Sequence, residues 1–570
     1  MKSKCLIACW LLCQSTTLAD PMPGTEALTW DGDIASRLVT AADDFLLKKL
    51  DTSIAKRPQY WQRDSSSPEG YSASVEPNRK RLAHIVGVRD DRVPFDDFDY
   101  TYLGTTETHT VYAVRWPVIG DVTGEGLLLD PKGDLVGNVV VIPDADQQPE
   151  QLAGLQDGIN ANDETARILA ENGCRVVVPA LINRSVTHRK LSNREFLYRS
   201  AFELGRHLIG YEAQKVLAVV DWFDRREQAK EPFIGVTGWG EGGLLAFYTA
   251  AIDTRIDRAL VSGYFGSRQQ VWQEPAYRNV FGLLEQFGDA EIASMIAPRQ
   301  LIIDPQPGPD VVVPPGTGGK PGHLRSADVT EISAELRRAQ TLSGLPMAES
   351  VLTQGGLANF CPILKNVATK TRPAFSLPDQ KKRHARQMHE IDRHNQWLLG
   401  ESANVRTKFM DKLVTSSLEA YEQSTEPYRS IFAEEIIGQF TDTLLPPSPR
   451  TRLLSQTDNV TSYEVVLDVY PGFFAYGILS IPRDADAKQP RPVVVCQHGL
   501  EGRPQDTIGE PSFHYYKAFA TKLAERGFIT FSPQNLYIFE DRFRTLQFKA
   551  NALKKTLFSL MVPQHQQIVN

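Results

Sequence analysis

The pattern of apolar positions marks the first half of the chain as an α/β protein. Val139 to Ile142 is a continuous apolar run and Cys174 to Val178 is nearly so, as expected for strands buried on both faces of a parallel sheet. Between them, Asp163 to Asn172 has helical spacing, and Gly173 is a typical helix stop. Further strands are predicted at residues 233–237, 256–262, 300–304 and 350–353. The alternation predicts a doubly wound, mostly parallel sheet with right-handed crossovers.

The same pattern returns near the C-terminus. Val493 to Val495 repeats Val139 to Val141 after 354 residues. At that spacing, and without a gap, Ala166, Leu169, Gly173 and Pro179 meet Ala520, Leu523, Gly527 and Pro533. A register held through a strand, a helix and a second strand indicates an internal duplication. The second copy matches only the first half of the first, so we expect its remaining part, with any catalytic residues, beyond Asn570.

These observations predict five segments. They are a signal peptide at 1–19, a helical extension at 20–97, a first α/β domain at 98–360, a helical connecting segment at 361–455, and the N-terminal half of a second such domain at 456–570. The extension carries an amphipathic helix around 34–55. The connecting segment is mostly charged, and we expect it to pack against the domains, because unstructured loops of that length are uncommon.

The N-terminus indicates export. Lys2 and Lys4 precede an apolar run from Cys5 to Cys13, and small and polar residues lead to a cleavage site before Asp20. The run is too short to span a bilayer. Residues 6–9 also resemble a lipobox, but the hydrophobic stretch suits a lipid anchor poorly. We therefore expect a secreted or periplasmic protein without a membrane span.

Composition narrows the function class only slightly. The chain has 570 residues, of which 42% are hydrophobic, and a formal net charge of -7. No basic stripe is present, which argues against a nucleic-acid partner. Outside the leader the cysteines are Cys174, Cys361 and Cys496, for which buried thiols are expected. Their spacing suggests no metal site, and the sequence leaves the oligomeric state open.

The turn from Gly238 to Gly242 stands where an α/β-hydrolase places its nucleophile elbow, G-x-S-x-G. The glycines that permit the tight turn are present, but Gly240 occupies the serine position and offers no nucleophile. We interpret the turn as a vacated elbow; a plain Gly-rich strand-to-helix turn is the alternative. Glu241, in the first turn of the following helix, is explained by the helix dipole alone.

The other two triad positions are also incomplete in the first domain. Asp304 follows a predicted strand and is a possible vestigial acid, although an Asp at a strand end is equally an ordinary turn residue. The histidine belongs at 353–357, where none is present, and His323 lies in a Pro/Gly-rich loop that we expect at the surface. Loss of the nucleophile or base alone costs on the order of a millionfold in rate in a Ser-His-Asp enzyme. The first domain is therefore not expected to be a serine hydrolase.

The second copy carries a different turn after its Val-rich strand. His498, Gly499 and Leu500 begin an H-G-x-x-G sequence, in which Leu500 N–H is an oxyanion-hole candidate and His498 supports the turn. The corresponding turn of the first copy contains Asp144 and Asp146, which would put carboxylates where an oxyanion must form.

With these residues, the chain resembles the dienelactone hydrolase and acetyl xylan esterase-like branch of the α/β-hydrolase superfamily, over about residues 100–360 and 460–570. The resemblance implies cofactor-free hydrolysis of esters or lactones on small or carbohydrate-linked acyl groups. Two hypotheses follow. The first is an exported carboxylesterase whose second domain is completed beyond Asn570. The second is a degenerate hydrolase that binds a ligand or serves as a scaffold without catalysis.

Overall fold

The computed structural model describes residues 20–226, 232–345, 351–353, 355–361, 363–364, 373–486, 488–509 and 512–570. The predicted signal peptide lies outside these residues. The chain forms two compact units. The larger comprises Leu47–Gly438 and Arg544–Thr556; the smaller comprises the chain up to Leu46, Gln439–Phe543 and Leu557–Asn570.

The strands are β1 (Glu26–Ala27), β2 (Asp99–Thr105), β3 (His109–Ile119), β4 (Val122–Pro131), β5 (Gly137–Ile142), β6 (Cys174–Pro179), β7 (Phe233–Trp239), β8 (Arg258–Ser262), β9 (Gln300–Asp304), β10 (Val311–Val313), β11 (Gly322–Leu324), β12 (Val351–Leu352), β13 (Arg450–Gln456), β14 (Val460–Tyr470), β15 (Phe473–Pro482), β16 (Val493–Val495) and β17 (Ile529–Pro533). The helices are α1 (Ile34–Lys56), α2 (Pro68–Ser74), α3 (Glu76–Ile85), α4 (Pro149–Leu152), α5 (Thr165–Glu171), α6 (Asn193–Glu203), α7 (Leu208–Arg226), α8 (Glu241–Ile252), α9 (Leu283–Gln286), α10 (Asp289–Ser294), α11 (Val329–Ser343), α12 (Leu357–Phe360), α13 (Gln380–Phe409), α14 (Leu418–Ile431), α15 (Phe513–Tyr516), α16 (Phe519–Ala524), α17 (Asp541–Ala552) and α18 (Phe558–Val569). No described helix is both long and apolar enough to cross a membrane.

The large sheet of the larger unit has the order β12-β9-β8-β7-β5-β6-β4-β3-β2. Strands from β12 to β6 run parallel, whereas β4 is antiparallel to both β6 and β3. The exchange of β5 and β6 relative to chain order, next to an antiparallel strand, is the arrangement of the α/β-hydrolase fold. The predicted fold class is therefore confirmed.

The centre of this sheet is apolar on both faces, as its sequence pattern predicts. Every residue of β5 is buried, and the residues of α8 from Glu241 to Ala251 are buried as well. Helix α7 presents Trp222 and Phe223 to the same core. This packing on both faces of the sheet holds the carboxyl end of β7 in place. It therefore also holds the turn that joins β7 to α8.

The smaller unit repeats part of this topology. Its sheet has the order β1-β13-β14-β15-β17-β16, in which β14-β15-β17-β16 corresponds to β3-β4-β6-β5 of the larger unit. The antiparallel registers agree: Gly126 is opposite Pro179, and Gly477 is opposite Pro533. This agreement supports the duplication hypothesis, which stays an interpretation of the sequence.

The predicted helical extension and helical connecting segment contain strands as well as helices. Strand β1, within the predicted extension, pairs with β13, which lies at the end of the predicted connecting segment. Helix α13 packs with its first half on the larger unit, where buried Arg383 pairs with buried Glu150 at 2.7 Å. Its second half is exposed, including Val405 and Phe409.

Candidate functional site

The turn between β7 and α8 has the backbone geometry of an elbow. Gly240 has φ +63° and ψ -117°, which side chains other than hydrogen rarely allow. A Cβ at Gly238 would collide with the backbone of Gly242, and one at Gly242 would collide with the carbonyl oxygen of Ile142. The close approach of strand and helix therefore requires these glycines. Gly238, Gly240, Glu241 and Gly242 thus form the tight turn between β7 and α8, and their interpretation as a vacated nucleophile elbow stays a prediction.

The position of an oxyanion is occupied by a carboxylate. Asp144, just after β5, accepts a hydrogen bond from the backbone N–H of Glu241 at 2.9 Å. In this fold the N–H of the residue after the nucleophile is one of the two oxyanion donors. A Cβ at Gly240 would collide with the Asp144 carboxylate and approach Pro309 Cδ at 2.9 Å. The space for a serine side chain is therefore filled as well.

Arg184 neutralises this carboxylate in a buried bidentate pair. Its Nη1 lies 2.5 Å from Asp144 Oδ2, and its Nη2 lies 2.8 Å from Oδ1. Its Nε donates to the Tyr277 hydroxyl at 2.9 Å. Burial by itself would raise the pKa of Asp144, but the hydrogen bond and charge of Arg184 outweigh it and hold the pKa below its usual value. Asp144 is thus ionised and fixed across the ordinary pH range.

Glu241 is a counter-ion in the same cluster. Its Oε1 accepts hydrogen bonds from Arg278 Nε at 3.0 Å and Arg184 Nη2 at 3.3 Å, and Arg194 lies 3.6 Å from its Oε2. Burial would raise the pKa of Glu241, yet these guanidinium charges lower it. A carboxylate held ionised among three cations cannot serve as a general acid. The sequence interpretation, in which the helix dipole alone explains Glu241, was incomplete.

Asp304 lies at the end of β9, beside the end of β8. Its Oδ2 accepts hydrogen bonds from Gln306 Nε2 at 3.0 Å and from Ser262 Oγ at 3.3 Å. Its Oδ1 is buried and has no hydrogen-bond partner among the described residues. Burial raises the pKa of Asp304, and hydrogen bonds from the Gln306 backbone and from the Ser262 and Gln306 side chains offset this only in part. A glutamine and a serine thus stand where a triad histidine would contact the acid.

No described residue supplies that histidine. Gly355, Gly356 and Leu357 follow β12, and Gln354 lies outside the described residues. His323 is in β11 and half-buried, with its Nε2 2.5 Å from Asp310 Oδ1 across the β10–β11 hairpin. This agrees with the surface position that the sequence indicated.

A cavity of about 540 Å³ opens at the carboxyl ends of β5, β7, β8 and β9. Its wall combines one aromatic side chain with many amides and carboxylates: Trp239, Gln147, Gln151, Asn160, Asn162, Gln306, Ser262, Asp146, Asp163 and Asp304. Trp239 is held by a hydrogen bond from its Nε1 to the carbonyl oxygen of Pro307 at 2.8 Å. The described wall contains neither lysine nor arginine.

In the smaller unit, the H-G-x-x-G turn follows β16. His498 is buried beneath the turn, with Nδ1 2.9 Å from the Gly499 carbonyl oxygen, and burial lowers its pKa. The Gly499 N–H donates to the Tyr516 hydroxyl at 2.8 Å, whereas Leu500 is exposed. The arrangement suits His498 as a support of the turn. The oxyanion role of Leu500 stays a prediction.

The turn from Gly238 to Gly242 and the acidic turn after β5 lie within one stretch of the chain. Residues 125–284 match the sequence model of the dienelactone hydrolase family. The predicted resemblance to dienelactone hydrolases is thus confirmed for the segment that contains the elbow. No curated protein sequence matches the chain significantly.

Solved structures of esterases resemble the chain at low identity. A candidate acetyl xylan esterase from Bacteroides fragilis is 14% identical, with 54% of this chain and 80% of that chain covered and a TM-score of 0.41. A glucuronoyl esterase from Caldicellulosiruptor kristjansonii is 14% identical over 56% and 91%, with a TM-score of 0.33. Acetyl xylan esterase 1 from Thermoanaerobacterium is 14% identical over 43% and 80%, with a TM-score of 0.30.

Sequence reasoning missed the basic half of the site. Arg184, Arg194 and Arg278 come from three separate segments and converge on the acidic residues of the elbow. No spacing or periodicity marks them. The only signal was the carboxylate of Asp144 after a buried strand, because a buried carboxylate demands a nearby cation.

Proposed function

We propose that the dienelactone-hydrolase-like unit is a non-catalytic domain that binds a neutral, polyhydroxylated ligand such as a carbohydrate. The single observation that carries the first half of this proposal is the hydrogen bond from Glu241 N–H to Asp144. A fixed carboxylate at that position repels the negative charge that develops in acyl transfer, instead of stabilising it. Gly240 adds the absence of a nucleophile.

The cavity wall supports the ligand class. Amide side chains both donate and accept hydrogen bonds, and carboxylates accept from hydroxyl groups, so together they suit vicinal hydroxyls. Trp239 offers a flat apolar surface for a sugar ring. Carboxylates without a cation in the described wall disfavour an anionic ligand.

The catalytic half of the proposal is tested with p-nitrophenyl acetate and a fluorophosphonate probe on the whole chain, beside an active serine esterase. We expect hydrolysis at the rate of buffer with an inert protein, and no labelled protein. Labelling that maps to residues 98–360 would overturn the proposal, because another serine would then be an active nucleophile. Turnover or labelling that maps to the smaller unit would favour the alternative, a carboxylesterase served by the second copy.

The binding half is tested by calorimetry with xylotetraose, cellotetraose and tetragalacturonate. We expect binding of at least one neutral oligosaccharide, and at least tenfold weaker binding of the uronate. Trp239→Ala should abolish the binding, whereas Trp397→Ala, at an exposed tryptophan of α13, should leave it unchanged. Absence of binding to all neutral oligosaccharides, or equal effects of the two variants, would contradict the ligand class.

Export stays part of the proposal, because the residues that indicate it lie outside the described part of the chain. A secreted or periplasmic location would give such a domain access to extracellular carbohydrate. N-terminal sequencing of exported material should begin near Asp20. Retention of Lys2 in that material would contradict the predicted cleavage.

A further inference from the structure

Two of the cysteines outside the leader meet in the core of the larger unit. Cys174 is the first residue of β6, and Cys361 directly follows α12. Both side chains are fully buried, and their Sγ atoms lie 4.0 Å apart although 187 positions separate them in the chain. The spacing of the cysteines in the sequence does not indicate that these two thiols lie close together in the fold.

The surroundings of Cys361 hold it in this place. The carbonyl oxygen of Phe360 accepts a hydrogen bond from Arg258 Nη1 at 3.0 Å, and its ring packs edge-on against Phe233 at 6.1 Å between centroids. Cys174 is fixed by the ladder of β6 with β5. Formation of a disulfide requires the two sulfurs to approach from 4.0 Å to ~2.05 Å.

We propose that Cys174 and Cys361 are joined by a disulfide bond in the mature protein. The bond ties the segment 355–361, whose first three residues line the cavity, to the opposite end of the sheet. The proposal stands on the packing of the two thiols and rests on the proposed export, but it does not rest on the proposed ligand binding.

The reaction is a thiol–disulfide exchange with an external disulfide oxidant. The thiolate of one cysteine attacks a sulfur of the oxidant and releases one thiol, and the second cysteine then attacks the mixed disulfide and releases the other. Two protein thiols lose two protons and two electrons, and one oxidant disulfide becomes two thiols. Because the native pair is buried, the exchange takes place while the chain folds. The predicted export directs the chain to a compartment where such oxidants act.

Cys496 provides an internal control. It is buried in the smaller unit, and its Sγ contacts the carbonyl oxygen of Val494 at 3.7 Å. It therefore has a protein acceptor but no second thiol among the described residues, and it should stay reduced under the same conditions.

The test is alkylation and peptide mapping of the exported whole chain. The protein is denatured, treated with iodoacetamide without reductant, and digested. We expect an alkylated Cys496 and one linked peptide pair, Cys174 with Cys361, which disappears when dithiothreitol precedes alkylation. Alkylation of all three cysteines without reductant, or a link that includes Cys496, would overturn the proposal.

Melting temperatures provide a second measurement. A bond that closes a loop of this length restricts the unfolded chain strongly, so reduction should lower the melting temperature of the wild type by about 5–10 °C. Cys361→Ser should melt at the reduced wild-type temperature with and without dithiothreitol, and Cys174→Ser should do the same. Cys496→Ser should retain the full dependence on reductant. If dithiothreitol does not change the melting temperature of the wild type, the proposed disulfide bond is contradicted, even if a variant fails to fold.

Discussion

At the scale of single residues, Asp144 and Arg184 decide what the elbow can do. Sequence alone places a carboxylate after β5, and the fold brings it to the N–H of Glu241 and pairs it with a guanidinium. The pair is buried, so each charge depends on the other for solvation. Replacing Gly240 by serine would not restore an enzyme, because the added side chain would meet this carboxylate.

Removing Asp144 tests how far the unit depends on the pair. Asp144→Ala leaves Arg184 buried without its bidentate partner and should lower the free energy of unfolding by about 3–5 kcal/mol. Asp146→Ala is the matched control: it faces the same guanidinium at 3.0 Å, but its side chain is 50% exposed. It should cost about 1 kcal/mol or less. Urea unfolding followed by tryptophan fluorescence measures both changes in the free energy of unfolding. Equal losses in the two variants would show that the buried pair with Asp144 contributes no more stability than the exposed pair with Asp146.

Asp304 makes the stability of the unit depend on pH. Burial raises its pKa in the folded state above 3.8, so the folded carboxyl holds its proton more tightly than the unfolded one. Its ionisation therefore costs stability as pH rises from about 3.8 through the folded pKa, and costs nothing below that window. Asp304→Asn removes the titration. Its melting temperature relative to wild type should rise across this window and then level off.

The control for Asp304 is an exposed carboxylate on the same unit. Asp134→Asn changes a solvated group and should shift the melting temperature equally at pH 3 and pH 7. A flat difference for Asp304→Asn as well would mean that its carboxyl is not desolvated in the folded protein.

At the scale of elements, the first half of α1 belongs to the smaller unit. Phe45 is buried there, stacks on Tyr470 at 5.3 Å between ring centroids, and meets Phe440 edge-on at 5.2 Å. Strand β1 pairs with β13 in the same unit. The sequence predicted α1 correctly, but its helical periodicity could not show which sheet the helix would cover.

Phe45→Ala should therefore destabilise the smaller unit by about 3–5 kcal/mol through the cavity it leaves. Phe409→Ala, at an exposed phenylalanine of α13, is the matched control and should have little effect. Hydrogen exchange followed by peptide mass spectrometry should show faster exchange of β14 and β15 in the first variant only. Unchanged exchange there would place α1 outside the core of that unit.

At the scale of the whole molecule, two units share the strand order β14-β15-β17-β16 and β3-β4-β6-β5. In the larger unit the sheet continues through β7, β8, β9 and β12, and only there does a turn corresponding to the nucleophile elbow exist among the described residues. The two units are therefore suited to different roles. The complete sheet of the larger unit carries the cavity, and the smaller unit carries the H-G-x-x-G turn.

The sequence by itself determined the α/β fold class and the glycines of the turn after β7, because buried strands and tight turns are local properties of the chain. It also predicted the vacancy at Gly240 and the repeat between the two sheets, which stay interpretations of the sequence. Only the tertiary structure decided how the vacancy is filled. Asp144, Arg184 and Glu241 are far apart in sequence. Their charges must pair with one another because folding removes them from water. The approach of Cys174 to Cys361 has the same origin, since packing, not spacing, determines which buried groups meet.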